Sequence, residues 1–409
     1  MNKVIVMAAP PRGNRDLIRA INRSVVLNTI KANEAISRVE ISRRTGLSQA
    51  TVSGITGMLI EDGLVFEKSS GDSSGGRRPI LLAINPEGGY VVGIKLTENQ
   101  VIGAITDLET TVISQFKLSL QDHQVETAVT TIEYVVDHLL REARIAKARL
   151  LGVGVGLAGI VDARTGVLRH SPIFGWRGVP LADLLQKRLQ VPVSIDNDVN
   201  TLILTEQLFG AGQGIENFLT VTIGRGVGMG IVVNGQIYRG ANGGAGEFGH
   251  TVIDPRGPQC ACGKRGCLET YVADPGLLRM ANEAVERSEI PQAISTPEEL
   301  IALAEAGNAT ARTIFSQAGE MLGLGIANLI NLFNPELIII SGEGVRAGDR
   351  LFTPMRAALA LHVMEGLGEE MQIRIDVWED DAWARGAASL GLQGIFRNPF
   401  EREREALAA

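Results

Sequence analysis

Apolar residues between Asn14 and Lys31 fall at Leu17, Ile18, Ile21, Val25 and from Leu27 to Ile30, roughly one helical face, with arginines between them. That period predicts a first, positioning helix. The next stretch, AISRVEISRRTGLSQATVSGITGMLIEDGLVFE, predicts two short helices around a tight turn. Ser37-x-x-Glu40 reads as a capping box for the first, Gly46 serves the turn, and Ser48 caps a second helix carrying Val52, Ile55, Met58 and Leu59 inward. This is helix-turn-helix spacing. Two short strands, LVFEK and ILLAIN, then flank SSGDSSGGRRP and predict a hairpin, or wing.

The pattern changes after residue 86. YVVGIKLTENQVIGAITDLETTVISQFKLSL predicts three strands joined by polar turns, followed by an amphipathic helix with Val125, Ala128, Val129, Ile132, Val135, Val136, Leu139 and Leu140 on its buried stripe. A buried strand from Leu150 to Gly156 ends in GLAGIVD, a helix begins at about Leu181, and the strand VPVSID runs into an acidic turn, NDVN. The hairpin pattern returns at FLTVTIGRGVGMGIVVNGQIYRG, and a weakly charged helix through GEMLGLGIANLINLFNP leads to the strand ELIIIS. Two such units predict a duplicated α/β body with a cleft between its lobes. The expected division is a head at 1–86 and a body at 87–409, with lobes at about 87–205 and 206–409. DAWARGAASLGLQ is expected to close the second lobe, and FEREREALAA to form a frayed helix.

Charge separates the same two parts. Residues 1–86 carry 12 Lys and Arg against 7 Asp and Glu, and the remainder carries 27 against 39, for a net charge of -7. A basic head on an acidic body points to a head that alone meets a polyanion. Ser48, Gln49, Thr51 and Ser53 at the start of the second helix suit base edges and phosphates, and Arg77 and Arg78 at the wing tip suit a minor groove, so double-stranded DNA is the expected partner. No apolar run approaches a membrane span and the N-terminal segment lacks the apolar core of a signal peptide, so a cytoplasmic protein without a membrane partner is expected.

All three cysteines of the 409 residues fall in one stretch, GGAGEFGHTVIDPRGPQCACGKRGCLET. Cys260, Cys262 and Cys267 stand as C-x-C-x4-C, with His250 ten positions before the first. One imidazole and three thiolates make the ligand set of a structural zinc ion within the loop 250–267; the alternative is three free thiols in a glycine-rich loop.

The head sequence NRSVVLNTIKANEAISRVEISRRTGLSQATVSGITGMLIEDGLV with SGGRRP, and the pair EFGH and CACGKRGCLE, resemble the repressors of the ROK family (repressors, open reading frames, kinases). The resemblance covers nearly the whole chain. It implies a winged helix-turn-helix on a two-lobed, actin-like (ribonuclease H-like) sugar kinase fold. It also implies a sugar site built by Asn197, Asp198, Glu247, His250 and Glu269, with Asp198 at the place of the kinase general base, and Gly159 of GLAG would let backbone approach the ligand there. Where family kinases show an S-P-N-L-G-W-like segment this chain reads Ser171-Pro172-Ile173-Phe174-Gly175-Trp176, without the Asn. Where they show D-I-G-G-T it reads Lys95-Leu96-Thr97-Glu98-Asn99, while the second glycine loop survives as Gly224-Arg225-Gly226-Val227-Gly228-Met229-Gly230. Loss of the first phosphate loop implies a sugar-responsive repressor without kinase activity, working as a homodimer or tetramer. An active kinase on a DNA-binding head and a repressor governed by a protein partner are the alternatives.

Overall fold

The computed structural model describes residues 15–70, 80–377 and 382–396. The head consists of α1 (Arg15–Lys31), β1 (Ile36–Ser37), α2 (Arg38–Thr45), α3 (Gln49–Glu61), β2 (Val65–Ser70) and β3 (Ile80–Ile84). Its strands form one antiparallel sheet in the order β1-β3-β2. Gly46, at φ 69°, ends α2 in a left-handed conformation that a side chain would resist.

Two local features differ from the pattern. The Ser37 hydroxyl accepts from the Glu40 amide, but the Glu40 carboxylate accepts from Arg43 and Arg44 instead of reaching back to the cap. Guanidinium donors three and four residues on outcompete a neutral amide. On α1 the buried residues are Ser24, Val26, Leu27 and Ile30, whereas Ile18 is 50% exposed. Among the described side chains of α1, the buried ones begin at Ser24, in the last turns of the helix.

The first lobe opens with β4 (Tyr90–Leu96), β5 (Gln100–Thr106) and β6 (Val112–Ser119), followed by α4 (Val125–Glu142) and β7 (Leu150–Leu157). A small antiparallel sheet of β8 (Ile160–Asp162), β9 (Val167–Ser171) and β10 (Trp176–Val179) precedes α5 (Leu181–Leu189), β11 (Val193–Asn197) and α6 (Asp198–Phe209). The expected NDVN turn is thus the start of a helix, with Asn197 as its cap. The second lobe contains β12 (Phe218–Ile223), β13 (Val227–Val233), β14 (Gln236–Ile237), α7 (Glu269–Val272), α8 (Asp274–Glu286), α9 (Pro297–Glu305), α10 (Ala309–Phe333), β15 (Leu337–Ser341), α11 (Asp349–His362) and β16 (Gln372–Ile375). The chain returns as α12 (Ala382–Phe396).

The main sheets have strand orders β11-β7-β4-β5-β6 and β14-β13-β12-β15-β16. In each, the first strand is central, its hairpin partners lie on one side, and two parallel strands lie on the other. The α/β body is therefore one motif used twice. Helix α4 buries Ala128, Val129, Ile132, Val135, Val136, Leu139 and Leu140, as its period predicts.

Helix α12 does not close the second lobe. It lies on the first-lobe sheet, where a Cβ on Gly93 would stand 2.4 Å from the Ala384 carbonyl oxygen and one on Gly154 would stand 1.8 Å from that of Ala387. Glycine on β4 and β7 lets helix backbone rest directly on sheet backbone. Ala388 and Leu392 of α12 share one apolar cluster with Val26, Leu27 and Ile30 of the head and Val91 and Leu108 of the lobe. The C-terminal helix thus joins head to body. Among the described residues no helix is long and apolar enough to cross a membrane.

Candidate functional site

The first-lobe side of the candidate site is organised by the end of β11. Asn197 caps α6 by accepting from the Val199 amide, and its Nδ2 donates to the Gly159 carbonyl at 3.1 Å. Gly159 sits at φ 133° with the His170 carbonyl 2.5 Å from where a Cβ would be, so this turn excludes any side chain. Asp198 opens α6 beside Lys95, Gly156, Thr201 and Trp383. Burial pushes its carboxyl above the ordinary range; the nearby Lys95 charge and the Val199 amide oppose the shift, and Glu343 adds to it. Lys95 thus brings a cation to the place where the resemblance expects a metal-organising carboxylate.

A carboxylate that no sequence motif marks sits next door. Asp196 is fully buried, accepts from Asn200 and from its own neighbour's amide, and pairs with Arg239 of the second lobe at 2.7 Å. A buried charge needs such a partner. Its trace in the sequence is an Asp beside Ile195 in the short strand Val193–Asn197.

Glu247, His250 and Glu269 converge on the second lobe. His250 Nε2 lies 3.9 Å from a Glu247 oxygen, and its Nδ1 lies 3.9 Å from Glu269 and 3.6 Å from the Cys260 sulfur. Nδ1 thus faces both the Cys260 sulfur and the Glu269 carboxylate, and Nε2 faces Glu247. Glu269 also accepts from the Val227 amide at 3.1 Å, and Gly228 packs on Val199. The start of β13 is what connects the second-lobe trio to the Asn197–Asp198 corner.

The ligand atoms of His250, Cys260, Cys262 and Cys267 all lie within 4.8 Å of one another, with Cys262 and Cys267 sulfurs 3.6 Å apart. Metal–sulfur bonds of about 2.3 Å in a tetrahedron place sulfurs roughly 3.8 Å apart, so the spacing fits one ion. Burial, with the neighbouring Cys262 and Cys260 sulfurs, pushes the Cys267 thiol up to about 12. Three sulfurs this close favour a cation among them once ionised. The Lys264 ammonium bonds the His250 carbonyl at 2.7 Å and braces the loop.

On the head, Ser48, Gln49 and Ser53 are exposed and Thr51 is half-buried. The Ser48 oxygen accepts from the Thr51 amide at 3.1 Å and meets the Thr51 hydroxyl at 2.8 Å, so these two side chains are occupied in capping α3. Gln49 and Ser53 remain as the outward polar groups of that set. Arg77 and Arg78 lie outside the described residues.

Residues 91–393 match the ROK family model, and residues 14–65 match a winged helix-turn-helix DNA-binding model. The chain is 31% identical over 395 residues to the xylose repressor of Caldicellulosiruptor bescii, covering 95% of this chain and 99% of the relative. Its fold superposes on the crystal structure of a ROK family transcriptional regulator, a homologue of the Escherichia coli Mlc protein, with TM-score 0.85 at 26% identity, over 96% of this chain and 100% of the other. A ROK family glucokinase from Streptomyces griseus, solved with glucose and AMPPNP, is similar over 75% of this chain and 100% of its own, with TM-score 0.64 at 29% identity.

Proposed function

The chain belongs to the ROK family, and from that premise we propose that it is a sugar-responsive transcriptional repressor whose kinase-like body binds a sugar without phosphorylating it. The winged head, taken as residues 1–86, holds operator DNA through Gln49 and Ser53, with Ser48 and Thr51 shaping the helix start and Arg77 and Arg78 supplying wing contacts. The body, taken as 87–409 with lobes at about 87–205 and 206–409, takes the sugar between Gly159, Asn197 and Asp198 on one side and Glu247, His250 and Glu269 on the other. Directional carboxylates and amides suit rings of hydroxyls. Symmetric operators favour a homodimer or tetramer.

The observation that carries the non-catalytic half is Lys95 beside Asp198. Phosphoryl transfer needs a metal–nucleotide complex next to the base, and an ammonium at that place repels the metal. Zinc held by His250, Cys260, Cys262 and Cys267 would act structurally, since four protein ligands leave no open position, and it would orient His250 toward Glu247.

The test uses full-length protein and a DNA site recovered by in vitro selection. Titration with D-xylose, D-glucose and N-acetylglucosamine should shift DNA affinity at least about tenfold for one of them, a coupling of roughly 1.4 kcal/mol. A coupled ADP assay with the same sugars should stay at background. Turnover of about 1 per second on any of them would overturn the reading.

A further inference from the structure

The two stretches that the resemblance likens to phosphate loops meet side chain to side chain between the two main sheets. Glu98 lies in the turn between β4 and β5, Arg225 in the turn between β12 and β13, and their side chains form an ion pair. Each is an odd residue for a phosphate loop: a carboxylate repels phosphate, and a long guanidinium chain stands where the resemblance places a short Thr. Together they satisfy one another.

Both ends are tied into the candidate site. The Glu98 carbonyl accepts from His123 Nε2 at 2.9 Å, and the His123 carbonyl accepts from the Trp176 indole at 2.6 Å. The His123 ring meets Phe174 edge-on at 5.6 Å, and Phe174 stacks on Trp176 at 4.7 Å. These aromatics end the Ser171–Trp176 segment. On the other lobe, Gly224 accepts from the Asp274 amide at 2.8 Å, and the residue after Gly226 donates to Glu269.

We infer that Glu98 and Arg225 form a latch between the lobes, standing where a nucleotide phosphate would otherwise bridge them, and that His123 is the positioning residue through which the Phe174–Trp176 segment sets Glu98 against Arg225. An exposed ion pair biases an equilibrium without locking it, which suits a cleft that opens and closes. The inference rests on the cleft geometry and holds whichever ligand enters, so the test contains no sugar.

Hydrogen exchange of the full-length protein at amides 97–100 and 224–227 reads the latch directly. Arg225→Glu should speed exchange in both segments by about two- to fivefold, and adding Glu98→Arg to it should restore the wild-type rate. Raising NaCl from about 0.05 to about 0.5 M should loosen wild type and the reversed pair but leave Glu98→Gln unmoved. His123→Ala keeps both charges and should loosen 224–227 as well as 97–100. Wild-type exchange in Arg225→Glu, or no restoration in the reversed pair, would remove the latch; loosening by His123→Ala confined to its own lobe would remove the positioning role.

Discussion

A Cβ on Gly386 would stand 2.2 Å from the carbonyl oxygen of Thr201, so α12 and the helix that begins at Asp198 meet backbone to backbone. Neither chain segment can yield without moving its helix. Gly386→Ala should therefore lower unfolding free energy by about 1–3 kcal/mol, read by urea denaturation. Gly57, on α3, has nothing within 4 Å of the position its Cβ would take, and Gly57→Ala should instead stabilise by about 0.5–1 kcal/mol. Equal effects from the two would refute the close-contact account.

Asp198 carries a cost that its ligand should relieve. Its folded pKa is raised by burial, so its protonated form favours the folded state; that contribution is complete below the unfolded value of about 3.9 and is lost as pH rises through the folded value. At neutral pH the charged carboxylate is therefore destabilising. Asp198→Asn should raise the Tm at pH 7 relative to wild type and narrow that difference toward pH 4. The same change should weaken sugar affinity at least about tenfold, through loss of charge-assisted bonds of roughly 1.5–3 kcal/mol each, while DNA affinity without sugar is retained. A variant that still responds at the wild-type sugar concentration would place the pocket elsewhere.

Metal analysis of protein purified without added zinc should find about one ion per chain, by four-ligand arithmetic. Cys260→Ser should lose it and lower thermal stability. Because His250 lies between Cys260 and Glu247, the sugar response should weaken too. A metal-free preparation of unchanged stability would leave three free thiols as the better description.

At the head, cap and contact separate cleanly. Ser48→Ala removes an acceptor for the Thr51 amide and should cost about 1 kcal/mol of stability. Gln49 is exposed, so Gln49→Ala should leave the Tm unchanged and weaken binding to the selected DNA site by about 1–3 kcal/mol. Fluorescence anisotropy and calorimetry on both variants check the division; a Gln49→Ala protein with wild-type affinity would exclude that side chain from base reading.

Features written in short-range pattern are legible in the sequence by itself. The buried stripe of α4 repeats every three to four residues, the turn glycine Gly46 and cap Ser48 act on their immediate neighbours, and three cysteines within eight positions, with a histidine ten positions before the first, have few ways to arrange themselves. Local geometry and ligand chemistry suffice for each of these. The sugar-site residues are reached by resemblance, since isolated carboxylates in loops carry no period.

What tertiary structure decided were partnerships between distant residues. Glu98 and Arg225 are 127 positions apart and Asp196 and Arg239 are 43 apart; read singly, Glu98 is an acid where the resemblance expects a phosphate loop, and Asp196 is one acid in a short strand. Glu40 turned from the cap to Arg43 and Arg44 because charged donors win over an amide. Helix α12 went to the first lobe because Gly93 and Gly154 leave room there for its backbone, and a missing side chain shows its complement only when the fold brings the two surfaces together.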